Sequence, residues 1–244
     1  EEKKDKAPVA SGAVELMEGD QVEKLSAMRR VVAERMTASA QEIPTVTQDI
    51  KVDITKLMDF RKGINENREA RISINDFIIK ATAKALKKHP EINVSIDGNN
   101  RIKRANVNIG MAVGLDDGLL VPVIRNADTK SLETISQEAK DLAGRAKDGS
   151  LDPSEYVGST FSISNIGMFG ITSFTPIINQ PDAAILGVCA TEDVLALSEE
   201  GDLFTKKVMT LSLTFDHRLI DGATAAKFQQ TLKAILENPI DILL

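Results

Sequence analysis

The chain has 244 residues, 42% of them hydrophobic, with a formal net charge of -6 and a pI near 5.1. That is enough apolar sequence to bury a substantial core, and the reading is one domain plus a tail. The acidic balance and the isolated basic pairs Lys87-Lys88 and Lys206-Lys207 argue against a nucleic-acid surface, no apolar run approaches the roughly 18 residues of a membrane span, and a single cysteine excludes an internal disulfide or a cysteine-cluster metal site.

The charged start Glu1-Glu2-Lys3-Lys4-Asp5-Lys6 lacks the apolar segment of a secretory signal, so a soluble, intracellular protein is expected. Residues 1–22 mix charges with Ala, Pro, Ser and Gly and read as a flexible linker before a folded unit spanning 23–244. From Val22 to Gln41, the positions Leu25, Met28, Val31, Val32 and Met36 predict an amphipathic helix. Pro44 to Ile54 alternates as a strand. Helices follow at 55–65 and 73–89, the second with Ser73 as N-cap and Asp76 as its capping partner. His89, at the basic end of that helix and before Pro90, reads as a solvated histidine favoured by the helix dipole.

Strands are predicted at 93–96, 101–102, 107–113 and 119–124, with Asp97-Gly98-Asn99-Asn100 and Asp116-Asp117-Gly118 as turns between them. A helix capped by Ser131 spans 131–147, and strands return at 160–164, 183–190 and 206–215. Cys189, flanked by Ile185, Leu186, Val188 and Ala190, reads as a small core residue. A last helix runs from Gly222 to Glu237 and stops at Asn238-Pro239. The class is α/β, a mixed sheet flanked by helices, and not a doubly wound nucleotide fold.

Two segments carry candidate chemistry. His217, one of two histidines, stands in Phe215-Asp216-His217-Arg218-Leu219-Ile220-Asp221-Gly222, between a strand and a helix. An imidazole titrates near neutrality, and a strand end presents it rigidly to a reactant. Asp221, four residues on, can orient that ring or pair with an arginine. No second histidine stands at metal-ligand spacing, so no metal site is expected. In Phe161-Ser162-Ile163-Ser164-Asn165-Ile166-Gly167-Met168-Phe169-Gly170, Ser162 and Ser164 share the polar face of a strand. A serine there can donate to an oxyanion or cap the turn.

Together with Phe174-Thr175-Pro176-Ile177-Ile178-Asn179, these segments resemble the catalytic domain of the dihydrolipoamide acyltransferases, the core components of 2-oxo acid dehydrogenase complexes. The resemblance runs from about Lys24 to Leu244. It implies a chloramphenicol acetyltransferase-like, trimer-forming fold, and a site between subunits in which His217 of one chain faces Ser164 of the next. By the same resemblance, His217 is the general base, Ser164 the oxyanion donor, and Asp221 with Arg218 the support. Met168, Phe169 and Phe174 line the thiol channel or belong to the core.

The implied reaction moves an acyl group, acetyl first, between dihydrolipoamide and coenzyme A, with the lipoyl group on a separate domain. Asp5-Lys6-Ala7 mimics a lipoyl-site ending but reads as chance linker sequence. Branched-chain or succinyl transfer, antibiotic O-acetylation and a non-catalytic scaffold are the alternatives. The implied partners are copies of the chain in a core of twenty-four or sixty subunits, docked through the apolar end Ile240-Asp241-Ile242-Leu243-Leu244, with packing on its own subunit as the alternative. The others are the decarboxylase and dihydrolipoamide dehydrogenase components and a lipoyl domain. The implied location is the cytoplasm, or the mitochondrial matrix in a eukaryote.

Overall fold

Residues 14–243 of the chain are described by a computed structural model. The Asp5-Lys6-Ala7 triplet and residues 1–13 of the expected linker lie outside them; residues 14–26 are irregular and their side chains exposed. In chain order the elements are α1 (Ala27–Glu42), β1 (Thr45–Asp53), α2 (Thr55–Asn65), α3 (Ile74–Lys88), β2 (Val94–Asp97), β3 (Asn100–Lys103), β4 (Ile109–Met111), β5 (Val113–Leu115), β6 (Gly118–Leu120) and β7 (Val123–Ile124). They continue with α4 (Leu132–Lys147), β8 (Phe161–Asn165), β9 (Ala184–Leu197), β10 (Leu203–Asp216), α5 (Gly222–Glu237) and α6 (Ile240–Leu243).

Six strands form one sheet in the order β1-β10-β9-β8-β4-β7. β8 pairs in parallel with both β9 and β4, and the other pairs are antiparallel, so the sheet is mixed. One face carries Phe161, Ile163, Leu186, Leu213 and Phe215, all fully buried. Helices α3 and α5 close this core, with Phe228 of α5 tilted against Phe161 at 5.8 Å between ring centroids. The helix starts follow their caps: Asp76 and Ser73 bond each other's main chain at 2.7 and 3.2 Å, and Ser131 Oγ accepts the Thr134 N–H.

The opposite face is polar. Lateral partners share a face, so Ser162 and Ser164 of β8, Gly187 of β9, Ser212 and Thr214 of β10, and Thr47 and Asp49 of β1 look the same way. A segment crosses it: Ser173 donates to Asp49 at 2.7 Å, Ile178 packs with Ile43 and Ile185, and Ser39 of α1 donates to the Ile178 carbonyl.

Four sequence expectations change. α1 begins at Ala27, capped by Ser26, so Leu25 lies outside it; its expected apolar stripe is largely uncovered, with Met28 and Val31 exposed and only Ser39 buried. The run 107–113 is split into β4 and β5, which belong to different sheets. β9 and β10 extend well past 190 and before 206 as a paired hairpin ending in exposed Leu195, Leu197 and Leu203; its tip lacks a buried face, so no alternation marks it.

His89 is the fourth change. It is only 16% exposed, its Nε2 lies 2.7 Å from Thr231 Oγ1 and its ring meets Phe228 edge-on, because α3 ends against α5 rather than in solvent. At the C-terminus, Ile242 is fully buried against its own subunit while Ile240 and Leu243 point outward. Packing on the chain itself therefore accounts for one of the three apolar residues, and Leu244 lies outside the described residues.

Candidate functional site

His217 is the first residue beyond β10, in the turn that leads to α5. Its main-chain N–H donates to the Pro44 carbonyl at 3.0 Å, which ties the turn to the start of β1. The ring lies 5.9 Å from that of Phe215 and is exposed, with no side-chain hydrogen bond to a described residue. Asp216 beside it is buried and receives Arg218 three times: from the main-chain N–H at 2.9 Å, from Nε at 2.9 Å and from Nη2 at 2.7 Å. Arg218 thus braces the histidine turn through Asp216, and that contact raises its own pKa further.

Asp221 does not touch the imidazole. It is the N-cap of α5, its Oδ1 accepting the Thr224 N–H at 2.8 Å. That main-chain bond and the Thr224 hydroxyl hold its carboxyl below the ordinary range, with His217 as the weakest contributor. Between the two readings left open by sequence, ring orientation or an arginine pair, the structure takes neither: Asp221 starts the helix that follows the histidine.

The two serines of β8 separate. Ser162 is buried and donates to Asp182 Oδ2 at 2.6 Å, so its proton is committed. Ser164 is half-buried, with no hydroxyl partner among the described residues. It pairs laterally with Gly187, and a Cβ on Gly187 would meet the Phe174 ring at 2.8 Å. The Phe174 ring therefore packs directly over Gly187, the strand neighbour of Ser164. Met168 and Phe169, in a short 3-10 turn after β8, are 79% and 74% exposed, so the core reading for them is wrong. That turn lies tight against β9, since a Cβ on Gly167 would run into the Cys189 carbonyl. Cys189 itself is buried, and burial pushes its thiol up, away from the thiolate.

Ser164 and His217 do not meet within one chain. Ser164 is level with Gly187, Gly187 with Ser212, and His217 lies five residues beyond Ser212. At about 3.3 Å per residue along β10 and about 4.8 Å between strands, their Cα atoms are roughly 19 Å apart. No pair of side chains this short closes that gap.

A group that the sequence did not single out lies between them. Asp182 is 3% exposed and accepts both Ser162 and Ser159, the latter at 2.9 Å. Asn179 sends its amide N–H groups toward Ser162 and Ser159 at 3.3 and 3.5 Å, and its oxygen accepts Arg35 of α1 at 3.2 Å. No local pattern exposes this cluster, whose members come from positions 35 to 182 and whose donors and acceptors match only after folding.

Residues 17–244 match the sequence profile of the 2-oxoacid dehydrogenases acyltransferase catalytic domain. The chain is 41% identical to the dihydrolipoyllysine-residue acetyltransferase component of pyruvate dehydrogenase complex of Zymomonas mobilis, over 97% of this chain and 54% of that one. It spans about half the length of the curated relatives it matches. Among solved structures, the dihydrolipoamide acetyltransferase of Azotobacter vinelandii, studied for the catalytic roles of a serine, a histidine and an asparagine, superposes with a TM-score of 0.87 at 36% identity over 92% of this chain and 94% of that one. The cubic core of the pyruvate dehydrogenase multienzyme complex gives the same values. A chloramphenicol acetyltransferase at 16% identity, with a TM-score of 0.55 over 83% and 94% of the two chains, shares the fold. The chain belongs to the 2-oxoacid dehydrogenase acyltransferases and carries their catalytic domain.

Proposed function

We propose that this chain transfers an acetyl group between coenzyme A and a dihydrolipoyl group, at sites each built from Ser164 of one subunit and His217 of another. The observation that carries this reading is the pair itself: a serine hydroxyl with no partner among the described residues and an exposed imidazole, in the two segments that resemble the family's catalytic motifs, too far apart to act within one chain. In the Azotobacter vinelandii protein, the catalytic asparagine follows the histidine by four positions, as Asp221 follows His217 here. Residues 23–244 form the catalytic unit and 1–22 a linker.

The chemistry follows from the groups. A free thiol titrates near 8.5, so the incoming thiol needs a base, and His217 takes its proton. The thiolate attacks the thioester carbonyl, and the Ser164 hydroxyl donates to the oxyanion that forms. Collapse expels the other thiolate, which recovers the proton from His217, so no acyl-enzyme is needed and Ser164 stays a donor. Arg218 and Asp221 support the histidine turn from either side, one through Asp216 and one by capping α5. Exposed Met168 and Phe169 suit a channel wall completed by a second subunit, and Phe174 on Gly187 favours a small acyl group over a branched or succinyl one.

The exposed pair Ile240 and Leu243 fits docking between trimers in a larger core. A lipoyl domain, a decarboxylase and dihydrolipoamide dehydrogenase complete the implied system, in the cytoplasm or a mitochondrial matrix. The test is an acetyl-transfer assay with purified protein, acetyl-CoA and dihydrolipoamide. Turnover supports the reading, acetylation of a hydroxyl acceptor instead supports an O-acetyltransferase, and no transfer to either leaves a scaffold.

A further inference from the structure

We propose that Asp182 is a positioning residue for this reaction, holding the strand that carries Ser164 in place through a directed chain of hydrogen bonds that begins at Arg35. The inference rests on the acyltransferase reading above. Every link has one polarity: the Arg35 guanidinium donates to the Asn179 oxygen, the Asn179 amide faces the Ser159 and Ser162 hydroxyls, and both hydroxyls give their protons to the two oxygens of Asp182. A carboxylate offers two acceptor oxygens and no donor, so each serine proton meets its own oxygen, Ser159 on Oδ1 and Ser162 on Oδ2.

The placement gives the network its reach. Ser162 is two residues before Ser164 on the same face of β8. On the other side, Ala183, next to Asp182, accepts the Asp216 N–H at 2.8 Å, and Asp216 directly precedes His217. One buried group therefore sits between the strand of the oxyanion donor and the turn of the base. Arg35 also donates to the Gln180 carbonyl at 2.7 Å, which fixes the segment that carries Asn179 and Asp182.

The cluster is costly to bury, which favours a use for it. Burial pushes the Asp182 carboxyl up to about 7, against the pull of Ser162, Ser159, Arg104 and Arg35. Facing it are Arg35 from α1, Arg104 beyond β3, and Ser159 and Ser162 from β8 and its approach; Glu42, Asp216 and Arg218 share a cavity of about 290 Å³ with it. A carboxyl whose folded value is raised contributes stability at low pH that is lost as pH rises toward 7. The charged form thus weakens the fold at the pH where it accepts both serines.

The experiment compares wild type, Asp182→Asn and Ser162→Ala as assembled protein. Asp182→Asn keeps the shape and the neutral form that burial prefers, so it folds, and above pH 7 its melting temperature should equal or exceed that of wild type. Its kcat for acetyl transfer should fall roughly ten- to a hundredfold with KM unchanged, the cost of a misplaced donor. The acid limb of its pH profile should lose the contribution of Asp182 and keep one ionisation. Ser162→Ala should show the same kcat loss, and the double variant no further loss.

A kcat within twofold of wild type with an unaltered acid limb overturns the proposal, as does a kcat loss that tracks a lowered melting temperature at pH 8. Inactive wild-type protein sinks the acyltransferase reading and this role with it, whereas active wild type with an unaffected variant sinks the role alone.

Discussion

Ser164 on β8 stands in lateral register, through Gly187, with Ser212 on β10, and His217 lies five residues farther along the chain, just past the end of that strand. Ser164 and His217 are therefore held by one rigid sheet at a fixed offset, roughly 19 Å between Cα atoms. Under the proposed acyl transfer, an offset of that size requires a second copy to bring its own histidine to the first copy's serine.

This relationship makes a complementation experiment decisive. His217→Ala should lower acetyl transfer by about 10²- to 10⁴-fold, the usual contribution of a general base, while assembly survives. Ser164→Ala should lower kcat by about 10²- to 10³-fold with little change in thiol affinity. Co-refolding the two in equal amounts should restore about one site in four, because each shared site draws one residue from each of two chains. Mixed assemblies as inactive as the single variants would show that the two residues do not act across an interface.

Phe174 covers Gly187 beside the Ser164 hydroxyl. Phe174→Ala should open that space and raise kcat/KM for a branched or longer acyl-CoA relative to acetyl-CoA. An unchanged preference across an acyl-length series would mean that another wall sets the substrate.

Asp221 is tested through α5 rather than through proton transfer. Asp221→Ala removes the cap on the Thr224 N–H and should lower the melting temperature at pH 7, whereas Asp221→Asn keeps a capping oxygen and should stay close to wild type. The folded carboxyl sits below its ordinary value, so its contribution is present above about pH 4 and lost as pH falls through the folded value. The gap between wild type and Asp221→Ala should narrow in acid, as thermal melts from pH 7 to pH 3 would show.

Gly167→Ala tests the turn that carries Met168 and Phe169. The added methyl runs into the Cys189 carbonyl, a main-chain atom that cannot rotate away. A loss of about 1–3 kcal/mol is expected from chemical denaturation, as for other overpacked sites.

Much of the fold was legible because its signals are local. Ser73 with Asp76 marks the start of α3, Ser131 marks α4, and Asn238-Pro239 stops α5. These depend on hydrogen bonds and steric limits within four residues. The candidate residues were legible as motifs: the rare His217 between strand and helix, and Ser162 and Ser164 on the polar side of an alternating strand, with the resemblance alone favouring Ser164.

What stayed hidden depends on partners distant in sequence. His89 looked like a solvated helix end because nothing nearby in the chain reveals that Thr231 and Phe228 lie against it. Asp221 looked like a partner for His217, yet the helix it caps offered a closer donor in Thr224 N–H. Asp182 showed no signal because its hydroxyl donors and the Arg35 charge converge on it only when the sheet is assembled.

The sequence by itself determined the mixed α/β class and the caps and stops of the helices, since each follows from periodicity or capping, and it offered His217 by the chemistry of its side chain and Ser164 by resemblance as candidates. Tertiary structure decided that Ser162 is committed while Ser164 has no hydroxyl partner among the described residues, that Phe174 packs over Gly187 beside it, and that Ser164 and His217 lie too far apart to share a site within one chain. Those are matters of strand order and register, which join residues from distant positions into one row and so cannot be read from any one stretch of the chain.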